Sequence, residues 1–292
     1  MNKNTSFSAW LILILLALTW GSSYILIKKG LLDFSPTQVA GLRVSISAIA
    51  FLPIFLLRFK TIDWSKWKAL TVVGLAGSFF PAFLFAVAQT ELSSSVTGVL
   101  SSLTPLFTLL IGILFFKAPT VWMKIIGVFV GLLGAVLLIA FNQQSGEVGN
   151  PYFGILVVLA TAGYGLSTLT VKEHLQDMSS ITISAVAFLI IGIPGMIILF
   201  STNFMEVLTT SETAWQSLGY IAILSLMGTV AASIFFFKLV QITTPLFASM
   251  VSYLTPVVAV GWGILDGESV TVFHFVGMVL ILLGVYISRN RK

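Results

Sequence analysis

Thr97, Ser101, Thr104 and Thr108 follow one another at intervals of four, three and four residues, a spacing that puts four hydroxyls on one face of an α-helix. In a cavity they offer neutral donors and acceptors to a polar solute; in an ordinary bundle they allow close helix approach and bond the carbonyls freed near Pro105. Both readings stand. Ser252 and Thr255, with Tyr253 beside them, form a shorter version of the row. Trp20, Ser23 and Tyr24, and Thr161, Tyr164, Ser167 and Thr168, are also at helical spacing. Their aromatic bodies with polar tips either line a pocket suited to a cationic or aromatic solute or pack as core. Arg43 is the one cation inside an apolar segment. Snorkelling to nearby headgroups is the favoured reading, and holding a substrate carboxylate is the other. Gln89 and Glu91 read as a polar helix end, with an outer gate or proton sensor as the alternative.

Catalytic patterns are missing. The sequence has no GxxxxGK[ST] loop, no HExxH and no nucleophile elbow, and its two histidines, His174 and His274, lie near segment ends. With no cysteine and no mid-segment carboxylate, neither an enzyme nor a cofactor or metal protein is expected, and a deep proton relay has no residues to carry it.

The elements that must position these residues are apolar. Of 292 residues, 58% are hydrophobic and 9% charged, and the mean hydropathy is +1.06. A soluble domain could not bury that surface, so an all-α integral membrane protein is expected. Ten segments approach the roughly 20 residues of a spanning helix, near 10–31, 37–58, 67–89, 94–115, 121–141, 152–172, 180–200, 214–237, 244–265 and 271–288. The first is too long for a signal-peptide core and reads as a retained span. With the N-terminus inside, Lys3, Arg58, Lys60, Lys66, Lys68, Lys117, Lys124, Lys172, Lys238, Arg289, Arg291 and Lys292 are cytoplasmic, against Lys28 and Lys29 outside. That asymmetry puts both termini in the cytoplasm, and it gives the net charge of +5 a topological meaning, with no nucleic-acid partner expected.

The chain also repeats itself. Residues 100–114, LSSLTPLFTLLIGIL, reappear 151 positions later as 251–265, VSYLTPVVAVGWGIL. At a spacing of 144, Gly21, Ser23, Lys28, Asp33 and Ser35 match Gly165, Ser167, Lys172, Asp177 and Ser179. Each unit holds five helices, and five is odd. The expected fold is therefore ten transmembrane helices as two inverted five-helix repeats, residues 1–145 and 146–292. The interior prolines Pro105 and Pro256 predict interrupted helices around a midplane site. Gly127, Gly131 and Gly134 make the fifth helix, and the tenth with it, a scaffold or homodimer contact.

Trp20-Gly21-Ser22-Ser23-Tyr24, Pro36, Leu42-Arg43 and the helix ending near Pro53 resemble the EamA-type permeases of the drug/metabolite transporter superfamily. Leu103-Thr104-Pro105 and Leu254-Thr255-Pro256 resemble the family's repeat signature, and Gly267-Glu268 its Gly-Glu ending, where the first repeat has Phe116-Lys117. The resemblance covers the whole chain. It implies a central cavity formed by helices 1, 3, 4, 6, 8 and 9, with 5 and 10 peripheral, and export of amino acids, metabolites or toxic compounds. Phosphate-bearing solutes, carried by relatives, would want several cavity cations where only Arg43 is at hand. The expectation is an inner-membrane exporter of small polar or amphipathic metabolites working by alternating access, with the small-molecule substrate and the lipid bilayer as its partners. A lipid-headgroup flippase is the alternative. The expected substrate contacts are Trp20, Ser23, Tyr24, Arg43, Ser101, Thr104, Tyr164, Ser167, Ser252, Tyr253 and Thr255.

Overall fold

All ten apolar segments are helical in the computed structural model, which describes residues 7–117, 122–140, 143–144, 147–148, 150 and 152–288. Lys3, Arg289, Arg291 and Lys292 lie outside the described residues, as do the side chains of Lys124 and Glu147. The helices are α1 (Phe7–Gly30), α2 (Pro36–Thr61), α3 (Trp64–Ala88), α4 (Ser94–Phe116), α5 (Trp122–Ala140), α6 (Phe153–His174), α7 (Ser180–Phe200), α8 (Ala214–Ile242), α9 (Pro245–Leu265) and α10 (Val272–Ser288). Eight of them are long and apolar enough to cross a membrane; α5 and α10 contain shorter apolar stretches and pack on each other. Gln143–Gln144 and Glu147–Val148 pair as a two-residue antiparallel hairpin after α5, and a short helix, Phe204–Thr210, precedes α8. Large side chains such as Leu57, Phe129, Ile197 and Phe235 are exposed around the bundle, a surface that suits lipid and would be a liability in water.

The repeated residues occupy equivalent places. Ser35 and Ser179 are the N-caps of α2 and α7, accepting from the backbone N–H of Gln38 and Thr182. Gln38 in turn donates to Asn203 at 3.0 Å beyond the end of α7, and Thr182 receives Arg58 at 3.2 Å from near the end of α2. Asp33 accepts from Thr213 at 2.8 Å and Ser217 at 2.6 Å at the start of α8, whereas Asp177 pairs with Lys66 at the start of α3. Each repeat thus ties its loops to the other repeat.

Helix packing follows the same rule. Gly21 lets α1 approach α9, where an added Cβ would collide with Val258 and lie 3.0 Å from the Thr255 carbonyl; Gly165 lets α6 approach α4, where it would lie 2.8 Å from Thr108 N. The ring of His174, at the end of α6, meets Phe116 at the end of α4, while Lys28, near the end of α1, reaches the Glu268 carboxylate that caps the start of α4. The equivalent helices α1 and α6 therefore finish at opposite ends of the bundle. Gly134 and Gly284 are consumed by the contact between α5 and α10, since a Cβ on Gly134 would lie 2.7 Å from the Gly277 carbonyl.

The interruptions differ in detail from the expectation. In α4 the break is a 3-10 turn, Ser101–Leu103, and Pro105 sits in the first turn of the helix that follows, where its missing N–H costs nothing. In α9 the break is at Met250, and the helix then runs through Pro256. Two further interruptions are π-helical: Leu75–Phe79 in α3, with Pro81 in the first turn of the helix that follows, and Leu224–Ala231 in α8, which has no proline. The Gly-Glu ending also shifts by one residue. Gly267 takes the left-handed position after α9 (φ 80°), and after α4 that position is held by Lys117 (φ 52°), at a cost of about 1 kcal/mol relative to glycine.

Because α4 and α6 meet backbone to backbone at Gly165, Gly165→Val is expected to lower stability by on the order of 1–3 kcal/mol. Gly219→Ala, whose Cβ would meet nothing within 4 Å, is expected to be neutral. Thermal unfolding of detergent-purified protein, followed by tryptophan fluorescence, compares the two.

Candidate functional site

The four interruptions converge on one cavity. It offers about 80 Å³ in which the centre of a water molecule fits, and α1 to α4 and α6 to α9 contribute to its wall. The α5 and α10 helices contribute no lining residue among those described. The wall is built of pairs related by the repeat: Trp20 with Tyr164, Ser23 with Ser167, Ser101 with Ser252, Thr104 with Thr255, Gly77 with Gly228 and Phe85 with Phe236. Here Ser23 sits against Gly228 and Ser167 against Gly77, so close that a Cβ on either glycine would strike the serine oxygen. Glycine is needed there because the π turn brings its backbone up to a neighbouring helix.

Ten of the eleven expected contacts line this cavity. Tyr253 does not; it is partly buried and packs against the large apolar core. Ser252 and Thr255 are three apart and share a face, whereas Tyr253 is turned about 100° from Ser252 around the helix. In the α4 row, Ser101 and Thr104 line the cavity and Thr97 and Thr108 do not. All four donate to their own helix, Ser101 to Gly98 O at 2.6 Å and Thr104 to Ser101 O at 2.8 Å for example. Their protons are thereby spent on the backbone, and the cavity meets oxygen lone pairs.

The aromatic rings form two groups. Phe85 lies between Tyr24 and Tyr164, with centroids at 5.7 and 5.9 Å, and Trp20 meets Phe236 at 5.0 Å. Trp20 Nε1 donates to Gly228 O at 2.9 Å, satisfying a carbonyl of the π segment in α8.

Arg43 departs from the favoured snorkelling reading. Its guanidinium turns into the bundle, where Nε donates to Thr229 Oγ1 at 2.8 Å and Tyr164 lines the same cavity. No carboxylate lines the cavity, and Arg43 makes no ion pair among the described residues. Its position in the second repeat is held by Ala187. Phe188, Ser78, Thr229, Ser233, Phe237 and Ser249 are further lining residues that hydroxyl spacing did not single out. The match of Gly77-Ser78 with Gly228-Thr229 at a spacing of 151 was the available signal. Gln89 is buried and neither amide atom has a partner, unlike a plain solvated helix end. His274 accepts from Thr271 N at 3.0 Å through Nδ1, closing the first turn of α10.

One helical turn beyond Tyr24, ion pairs join the end of α1 to the loop after α9. Lys28 pairs with Asp266 at 2.7 Å and Glu268 at 2.9 Å, and Lys29 with Asp266 at 2.5 Å. The Glu268 carboxylate also accepts from the N–H and hydroxyl of Ser94 (3.0 and 2.8 Å) and of Ser95 (3.0 and 2.6 Å), capping the N-terminus of α4. Its side chain is 5% exposed. Burial alone would raise its pKa, but the bonds from Ser95, Lys28 and Ser94 outweigh burial and hold it below the ordinary value. At the opposite end, Lys172 reaches only the carbonyls of Thr243 and Val240, at 2.9 and 3.5 Å.

Known proteins share this architecture. The profile of the EamA-like transporter family matches twice, over residues 7–140 and 152–289. An uncharacterized transporter of Archaeoglobus fulgidus is 27% identical, covering 97% of this chain and 99% of that protein. The uncharacterized inner membrane transporter YedA of Escherichia coli K12 is 26% identical over 93% and 90% of the two chains. A probable amino-acid metabolite efflux pump of Salmonella typhimurium is 24% identical over 99% and 95%. One solved crystal structure superposes with a TM-score of 0.65 at 18% identity, covering 98% of this chain and 97% of that one, which shows the fold alone.

The end tie titrates. A carboxylate whose pKa is lowered on folding stabilises fully above its ordinary value, here 4.5, and that stabilisation is lost as pH falls below it. Glu268→Gln leaves Lys28 paired with Asp266, so the expected loss is about 1–3 kcal/mol at neutral pH. It should vanish at acid pH, where wild type and variant converge; thermal unfolding in detergent across that range measures it.

Proposed function

The chain belongs to the EamA-like transporter family, and on that premise we propose that it carries small amphipathic metabolites, amino acids or their derivatives, out across the inner membrane. As a member it is a multi-pass membrane transporter rather than an enzyme. The observation that carries the finer reading is the cavity itself: a mixed polar and aromatic space whose wall is drawn from both repeats in equivalent pairs. A site at a pseudo-twofold axis can be offered to either side by rocking one repeat against the other. Substrate would lie among Trp20, Ser23, Tyr24, Arg43, Ser101, Thr104, Tyr164, Ser167, Ser252 and Thr255. Tyr253 would act from behind that wall, by holding α9.

We take all ten helices to span, α5 and α10 included, in two units divided at residues 145 and 146, with both termini cytoplasmic. The tied end at Lys28 is then the outer one. Pairing between copies would use the outer faces of α5 and α10, since their glycine faces meet within the chain. The names of the relatives include amino-acid metabolite efflux, which favours export of such compounds over the headgroup-flipping alternative.

Proteoliposomes loaded with a mixed pool of amino acids, their deaminated acids and their amides are expected to lose one class selectively, relative to protein-free vesicles. Trp20→Ala and Thr104→Leu should each slow that loss about tenfold or more, the scale of one lost pocket contact, with membrane insertion intact. Selective loss that survives both substitutions would move the substrate elsewhere. The absence of cysteine allows a topology test: single cysteines at Thr61 and Thr210 should react with an impermeant maleimide from the cytoplasmic and the outer face respectively.

A further inference from the structure

Arg43 presents an unbalanced charge. It lies seven residues into α2, about 10 Å along the helix from its start, and its guanidinium faces a cavity that holds no carboxylate among the described residues. A cation in that position is costly until an anion joins it. One of its donors is already committed, since Thr229 accepts from Nε. This leaves the terminal guanidinium N–H groups, with the Tyr164 hydroxyl on the same cavity wall, a set of donors that matches one carboxylate. Beyond them lie the rings of Phe85, Trp20 and Phe236, which suit an apolar or aromatic body. The cavity's hydroxyls offer lone pairs and no acid, so a substrate ammonium would find no counter-charge.

From this geometry we propose that the substrate is a small monocarboxylate anion with an apolar body and no ammonium group, and that the protein works as an exchanger of such anions. The proposal rests on the transport reading above and narrows it. Loaded, the cavity is neutral and can be closed from both sides at low cost. Empty, the closed cavity would hold Arg43 alone, so the return step is slow unless another carboxylate enters. Arg43 and the Tyr164 hydroxyl bind the anion, and Thr229 is a positioning residue that turns the guanidinium toward it.

Four probes with one body separate the possibilities: 3-phenylpropionate, phenylpyruvate, phenylalanine and phenylalaninamide. Efflux of each from proteoliposomes at neutral pH is measured with and without unlabelled 3-phenylpropionate outside. Both anions should leave roughly tenfold faster, or more, with the anion outside; phenylalanine should be slower and phenylalaninamide should not move. Arg43→Gln should abolish the stimulation and the preference for anions. Arg43→Lys keeps the charge without the planar fork, so it should keep the stimulation at weaker apparent affinity, a split that a merely structural role would not produce. Where Arg43→Gln does not fold, the wild-type probe series and Arg43→Lys decide. Equal efflux with and without external anion overturns the proposal, as does phenylalaninamide or phenylalanine moving as fast as the anions. If none of the four moves while the mixed pool loses a class, this inference fails and the transport reading stands. If neither the probes nor the pool moves, both fail.

Discussion

In hydrocarbon, every backbone donor and acceptor must be satisfied from within the protein. Four interruptions of the helical ladder at the level of the cavity, in α3, α4, α8 and α9, would be intolerable facing lipid. Here they face inward and meet groups that satisfy them. Trp20 covers the Gly228 carbonyl, and Ser101 and Thr104 return protons to Gly98 and Ser101. The breaks and the cavity therefore require each other. The interruptions also bring glycine backbone up to Ser23 and Ser167, which is how two serines from the equivalent helices α1 and α6 come to stand on opposite walls of one cavity.

The duplicated plan makes departures from symmetry informative. Caps and loop ties that only hold the bundle together, at Ser35 and Ser179 or at Gln38 and Thr182, are kept in both repeats. Three charged features are not duplicated. One is Arg43, opposite Ala187 in the repeat; a second is the carboxylate tie at Glu268, opposite a Lys172 that bonds carbonyls; the third is the ion pair of Asp177 with Lys66, opposite an Asp33 held by hydroxyls. A charge at the site and unlike ties at the two ends are features by which a transporter can differ between substrates and between the two faces of the membrane.

The fold was largely legible because membrane helices announce themselves by length and apolarity, and the segment bounds agree with the observed helices to within a few residues except at the end of α8, which continues to Ile242. Interruption was legible from Pro105 and Pro256, but its place was not. Proline in the first turn of a helix costs nothing, so in α4 the break precedes Pro105 rather than following from it, and in α9 Pro256 is carried within the helix. Pro81 follows the π segment of α3 as Pro105 follows the break in α4, whereas the π segment of α8 has no proline at all and local sequence carries little warning of it. Most of the cavity wall followed from helical spacing. Tyr253 was misplaced by adjacency in sequence, which on a helix means a different face. The direction of Arg43 was missed because depth alone cannot distinguish a side chain reaching for headgroups from one reaching for Thr229.

The site and the tie act on the same equilibrium. Lys28 and Ser94 belong to the first repeat and Asp266 and Glu268 to the second, so any rocking that separates α1 and α4 from the loop between α9 and α10 must break these bonds together. At the opposite end the ion pair of Lys66 with Asp177 also joins the two repeats, while Lys172 bonds the carbonyls of Thr243 and Val240. Between these ties the Arg43 charge has no ion-pair partner among the described residues. A carboxylate bound at Arg43 lowers the cost of moving that charge through the closed state but leaves the tie untouched. Binding energy at the cavity and ion pairing at the ends therefore act on separate barriers.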